Sequence, residues 1–134
     1  MQVDVEWDML GSANDDEGWD YQRCLYAYVT SRNEIVYIGL AWDATVDQRW
    51  IQKRNLWAYL RSVGISECSA LPGEVEVIDG RLTRQLLGDV ESLLIYAEQP
   101  SGNVQCTRTR ITRPGMTVRC LGDWPGSSSI YYDV

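Results

Sequence analysis

The sequence predicts an α+β domain: a small antiparallel β-sheet of three core strands plus C-terminal strands, flanked by helices. Three observations predict it. Residues 24–30, CLYAYVT, and 35–40, IVYIGL, are β-rich runs on either side of a polar SRN turn. Residues 74–79, EVEVID, form a strand pattern, alternating between acidic and apolar over 74–77. Apolar residues recur at helical spacing over about 45–62 and again over about 82–98. With 134 residues, 45% of them hydrophobic, the chain suits one domain with its own core.

Taken in order, VDVEWDML alternates weakly and predicts an edge strand, and the polar GSANDDEG (11–18) predicts a loop. In 24–30, Leu25, Ala27 and Val29 share one face, and Cys24, Tyr26 and Tyr28 the other. A hairpin turn centred between Ser31 and Arg32 sets Tyr26 opposite Tyr37, with Cβ atoms about 5 Å apart. Thr45 and Gln48 form a capping box for the first helix. Val46, Trp50, Trp57 and Leu60 make its apolar stripe, and Gly64 is its stop. Arg49 and Lys53 lie one turn apart on one face, Lys53 bordering the Trp50–Trp57 side; alone, they read as a solvated arginine and a snorkelling lysine.

The second helix buries Leu86, Leu87, Val90, Leu93, Leu94 and Ala97, and Pro100 and Gly102 end it. Glu91 falls between Leu87 and Ile95, at the edge of that stripe. A half-buried carboxylate is costly unless paired or bound to a metal; a salt bridge to Arg49 is the structural alternative. The tail NVQCTRTRITRPGMTVRCL predicts a hairpin turning at Pro114-Gly115. Arg108 and Arg110, at period two, share a face, with Arg113 and Arg119 close by. The final WPGSSSIYYDV predicts a turn and one more short strand.

The formal charge is −7, and its placement is uneven. Asp4, Glu6, Asp8, Asp15, Asp16, Glu17 and Asp20 crowd the first 20 residues without one Lys or Arg, leaving 12 acids against 12 bases in the remainder. A neutral body behind an acidic leader does not exclude a nucleic-acid partner, as an evenly acidic surface would. No apolar run is long enough to span a membrane and the N-terminus lacks the pattern of a signal peptide, so the chain reads as a soluble cytoplasmic protein with no membrane partner. Cys24, Cys68, Cys106 and Cys120 form no CxxC pair and there is no histidine, which excludes the usual structural zinc spacing and leaves buried thiols. Cys106 and Cys120 fall where they could face each other across the tail hairpin.

Five positions in one order carry a resemblance. Cys24-Leu25-Tyr26 precedes Tyr37-Ile38-Gly39; Arg49 follows in a helix, Glu91 in a later helix, and then Pro100 and Asn103. Over about residues 24–104 the chain resembles the GIY-YIG nuclease family. Cys24 stands where the family has glycine, and Lys53 stands where many members carry a histidine one turn after the arginine. The interval from Tyr37 to Arg49 is about two residues longer than the family's shortest form.

The chain therefore divides into an acidic leader (1–22), a core (23–104) that the resemblance makes catalytic, and a C-terminal hairpin extension of the same domain (105–134). The resemblance also bears on function. It implies a metal-dependent endonuclease, of DNA ahead of RNA, of a mobile-element or toxin-like kind. Glu91 would hold one divalent metal, Mg²⁺ with Mn²⁺ as a substitute, keeping several waters. Arg49 would bond a phosphate oxygen, and Tyr37 or Tyr26 would orient or deprotonate the attacking water. An ordinary phenol is a weak base, so Arg49 and Lys53 are the cations that would assist it, or Lys53 relays the proton. Asn103 would support the site through neutral hydrogen bonds.

Arg108, Arg110, Arg113 and Arg119 are the candidate grip on the phosphate backbone. The acidic leader would repel substrate, bind a protein partner, cover the basic groove or only solubilise the chain. Two other classes remain open: a non-catalytic binding module of the same fold, and an acidic interaction protein that mimics DNA.

Overall fold

In the computed structural model, residues 1–9, 20–103 and 115–133 are described. They form an α+β fold with the order β1 (Gln2–Trp7), β2 (Cys24–Thr30), β3 (Ile35–Ala41), α1 (Val46–Ile51), α2 (Arg54–Ser62), β4 (Cys68–Val77), α3 (Arg84–Glu98), β5 (Met116–Gly122) and β6 (Ile130–Asp133). The six strands make one mixed sheet in the order β3-β2-β4-β1-β5-β6. β1 runs parallel to β5; every other pair is antiparallel.

The sheet has two apolar faces. Leu25, Ala27 and Val29 face α3 and join Val3, Val5, Trp7, Leu87, Val90 and Leu94 in the main core. Cys24, Tyr26 and Tyr28 face the other way, under α1 and α2, with Val46, Leu60 and Ala70. The expected division of the CLYAYVT strand therefore holds, and both of its faces are buried.

The expected edge strand at the N-terminus is an inner one, between β4 and β5. Val3, Val5 and Trp7 are fully buried, while Asp4 and Glu6 point to the opposite face. The intervening acids mask this alternation in the sequence. β1, β5 and β6 thus belong to the same sheet as the core strands, and the first residues of the acidic leader are structural.

The hairpin register also differs from the expected one. Tyr28, not Tyr26, pairs with Tyr37, and Tyr26 pairs with Gly39. The turn is centred one residue later because Thr30 pins it: the Thr30 hydroxyl accepts from the N–H groups of Arg32 and Glu34, and Asn33 adopts a left-handed φ of 60°. A two-residue slip preserves the face of every side chain, so the tyrosines remain together.

The single helix expected over 45–62 is two. Thr45 and Gln48 form the capping box of α1, and the chain then kinks at Gln52–Lys53 before α2 begins. α3 starts after Thr83, whose side chain accepts from the N–H of Leu86, and stops at Gln99 in the left-handed region. Ala97 is exposed rather than buried; Ile95 fills the stripe instead.

β4 begins six residues earlier than expected and runs through Leu71-Pro72-Gly73. Its first half pairs with β2 and its second with β1, both meeting at Gly73. A Cβ there would stand 2.8 Å from Val5 Cγ1 and 2.9 Å from the Trp7 ring, so only glycine fits this crossing.

The expected first strand of the tail hairpin, with Arg108, Arg110, Arg113 and Cys106, lies outside the described residues. Its second strand is β5, and the last expected strand is β6. Cys24, Cys68 and Cys120 carry free thiols. Among the described residues, no helix is long and apolar enough to cross a membrane.

Candidate active site

β3 is an edge strand, and its outward polar groups are closed by groups distant in sequence. The Val36 carbonyl accepts from the N–H of Gly102 at 2.7 Å. The Asn103 side chain then binds Ile38 twice, its oxygen accepting from the Ile38 N–H and its amide donating to the Ile38 carbonyl, both at 2.9 Å. Two residues on, the Leu40 N–H faces the Glu91 carboxylate of α3. Residues 36, 38 and 40 point off the same edge because strand geometry repeats every two residues. The edge is thus covered, and Glu91 is set beside the Tyr37-Ile38-Gly39 segment.

On the α1/α2 side of that edge lie three tyrosines. The Tyr28 and Tyr37 rings stack with centroids 5.5 Å apart, and Tyr26 lies 5.3 Å from Tyr28 and 6.0 Å from Tyr37. Tyr26 fits because its partner is Gly39: a Cβ at 39 would stand 2.5 Å from Tyr26 Cζ and Oη. Lys53, at the kink before α2, donates from Nζ to Tyr37 Oη at 3.0 Å and lies 4.9 Å from the centre of that ring. The kink, not a continuous helix, aims Lys53 at Tyr37.

Arg49 lies close enough to act through its charge on Tyr26, Tyr28 and Glu91. Among the described residues, its Nε is buried without a hydrogen-bond partner, and so is Tyr28 Oη. Buried donors of this kind are rare and call for a partner that the described residues do not supply. A phosphate oxygen meets that need at a guanidinium.

Burial pushes the Glu91 carboxyl up to about 7, against the opposing charges of Lys53, Arg49 and Arg84 and the Leu40 N–H. Desolvation wins because the carboxylate sits where α3 meets the sheet. Burial likewise raises Tyr26 and Tyr28 well above the ordinary phenol range, with Tyr37 adding to both and Arg49 partly offsetting the rise. These two phenols are therefore poor proton acceptors. Tyr37 is only half-buried and keeps its oxygen on the Lys53 ammonium, so it is better placed to meet a water.

Of the candidates named from sequence, the fold places Tyr26, Tyr37, Arg49, Lys53, Glu91 and Asn103 around the β3 edge. It does not bring Arg119 to them. Arg119 is on β5 and donates to Asp4 through Nη2 at 2.7 Å and Nε at 3.3 Å, four strands from β3. The sequence reading missed Tyr28, the true cross-strand partner of Tyr37, and Arg84, which acts on Glu91 from two turns earlier in α3. The seven-residue spacing of Arg84 and Glu91 was the available signal.

Glu91 supplies a carboxylate here. Among the described residues, no three Cys, Asp or Glu side chains converge as a metal-binding group. The donor set suits a hard cation that keeps its waters and shares phosphate oxygens, not a closed all-protein cage. Compared with protein-family models, with curated proteins and with solved structures, the chain matches none.

Proposed function

We propose that the chain is a metal-dependent nuclease of the GIY-YIG kind, hydrolysing phosphodiester bonds of nucleic acid, DNA ahead of RNA. The observation that carries this reading is the convergence of Glu91, Lys53, Arg49 and Tyr37 on the covered edge of β3, with the buried Arg49 Nε lacking an acceptor among the described residues. β3-β2-β4 is also a three-stranded antiparallel unit between helices, which supports the reading.

Glu91 would hold Mg²⁺ or Mn²⁺, which when bound neutralises charge on the scissile phosphate and its leaving oxygen. Arg49 binds a non-bridging phosphate oxygen with Nε and so fixes the phosphate relative to α1. Tyr37 Oη orients the attacking water. The Lys53 ammonium donates to that oxygen and holds it in place, and the proton that the water loses on attack leaves to solvent. Tyr26 and Tyr28 form the apolar floor that keeps Tyr37 in place, and Asn103 holds the backbone of β3 beneath the site.

A binding module without catalysis is the second reading, favoured by the raised Tyr26 and Tyr28 phenols and the cations crowding Glu91. The test is incubation of plasmid DNA and structured RNA with Mg²⁺ or Mn²⁺, wild type beside Glu91→Ala. Metal-dependent cutting lost in the variant supports the nuclease. A folded wild type that cuts neither substrate leaves the binding module.

A further inference from the structure

Beyond the tyrosine layer, on the same sheet face, α2 and the start of β4 leave a cleft of about 500 Å³. Its walls are Trp50, Trp57, Arg61, Ile65 and Cys68, and serines 31, 66 and 69 with Glu67 form its rim. A cavity of this size falls in the range of small-molecule sites. We propose that this cleft is a base-holding subsite, taking one unpaired nucleobase of the substrate strand against the Trp50–Trp57 wall. The inference rests on the nuclease reading for the identity of that strand.

Four observations support it. The two indoles lie with centroids 4.5 Å apart and are braced by Tyr28, 4.8 Å from Trp57 and 5.1 Å from Trp50. Trp57 Nε1 donates to the Trp50 carbonyl at 3.1 Å, so the ring is fixed and a base can cover its face without stripping water from an N–H. The charged residues of the lining, Arg61 and Glu67, are of opposite sign. That balance suits a neutral planar group with donors and acceptors at its edge, rather than a phosphate. Finally, Tyr28 touches both indoles and lies within reach of the Arg49 charge, so the cleft and the arginine border the same tyrosine. Stacking on aromatic side chains accepts any base, which fits a site without a visible code of edge contacts.

The test uses a short single-stranded deoxyoligonucleotide carrying 2-aminopurine, whose emission falls when the base stacks, with EDTA present to prevent cutting. The wild type quenches the probe, and Trp57→Leu weakens half-saturation by roughly five- to a hundredfold. Ser66→Trp fills the mouth from an exposed position and has the same effect without disturbing the core. No quenching by the wild type, or quenching unchanged in both variants, overturns the subsite. Plasmid cutting by the same preparation in Mg²⁺ separates the two readings. Cutting without quenching overturns the subsite alone. Quenching that depends on Trp57 and Ser66, without any cutting, keeps the subsite and overturns the nuclease.

Discussion

Tyr26 occupies the space that a side chain at Gly39 would need: a Cβ there would lie 2.5 Å from Tyr26 Cζ. The two residues are cross-strand partners in the β2–β3 hairpin. The glycine of the Tyr37-Ile38-Gly39 segment is therefore required by the tyrosine opposite it, not by backbone conformation. Gly39→Ala should cost about 1–3 kcal/mol by overpacking. Tyr26→Leu should relieve most of that cost, so a double-mutant cycle by urea denaturation should return a clear coupling energy. Additive effects would refute the steric account.

Asn103 acts as a short extra strand on β3. Asn103→Ala leaves the Ile38 N–H and carbonyl without partners at a buried residue, at a cost of about 1–3 kcal/mol. Hydrogen exchange at the Ile38 amide should accelerate far more than at Ala27, which lies inside the sheet. Equal acceleration at both would mean that the side chain contributes only to global stability.

Glu91 should make stability fall as pH rises. Its folded-state value of about 7 lies above the ordinary 4.5, so the folded protein binds this proton more tightly than the unfolded chain. The destabilisation is absent below the lower value, grows between the two, and is complete above the upper one. Glu91→Gln should therefore be more stable than wild type by about 1–3 kcal/mol above about pH 7, with little difference below about pH 4.5. Denaturant titrations across that window check it. For the nuclease, cutting at limiting Mg²⁺ should rise with pH through the same window, because the metal needs the ionised carboxylate.

Lys53 should matter to chemistry more than to folding. Lys53→Met removes the donor to Tyr37 Oη from a half-exposed position. The cleavage rate should fall about a hundredfold or more with KM little changed, and Lys53→Arg should recover part of it. An unchanged rate would remove Lys53 from the mechanism.

The acidic N-terminal segment needs a gentler test than truncation. Because Val3, Val5 and Trp7 form an inner strand, deleting residues 1–20 should unfold the domain. Asp15→Asn, Asp16→Asn and Glu17→Gln together leave β1 intact. If this segment repels or covers a substrate groove, the triple variant should bind DNA more tightly at low salt, and the gain should fade as salt rises. Identical affinity would assign the segment to solubility.

The placement of the candidate residues was more legible in the sequence than the sheet around them. The faces of β2, the capping box at Thr45 and the amphipathic course of α3 follow local rules, and these put Tyr26, Arg49 and Glu91 on the right elements. The hairpin register was not legible, because it depends on Thr30 and Asn33 closing a turn one residue beyond the symmetric one. β4 was hidden by Pro72-Gly73, turn residues that here sit where the strand changes partners. The pairing of Arg119 was not legible because its partner, Asp4, is 115 residues away in sequence. No local pattern announces a bond of that separation.

The most direct test of the nuclease is the rate of plasmid cleavage in Mg²⁺ by wild type and by Glu91→Gln, both shown to be folded by circular dichroism, at a pH above the Glu91 value of about 7. The account predicts cutting by the wild type and loss of it by about a hundredfold or more in the variant, which keeps the shape of the side chain but not its charge. Equal cutting by the two proteins, or none by either, would contradict it.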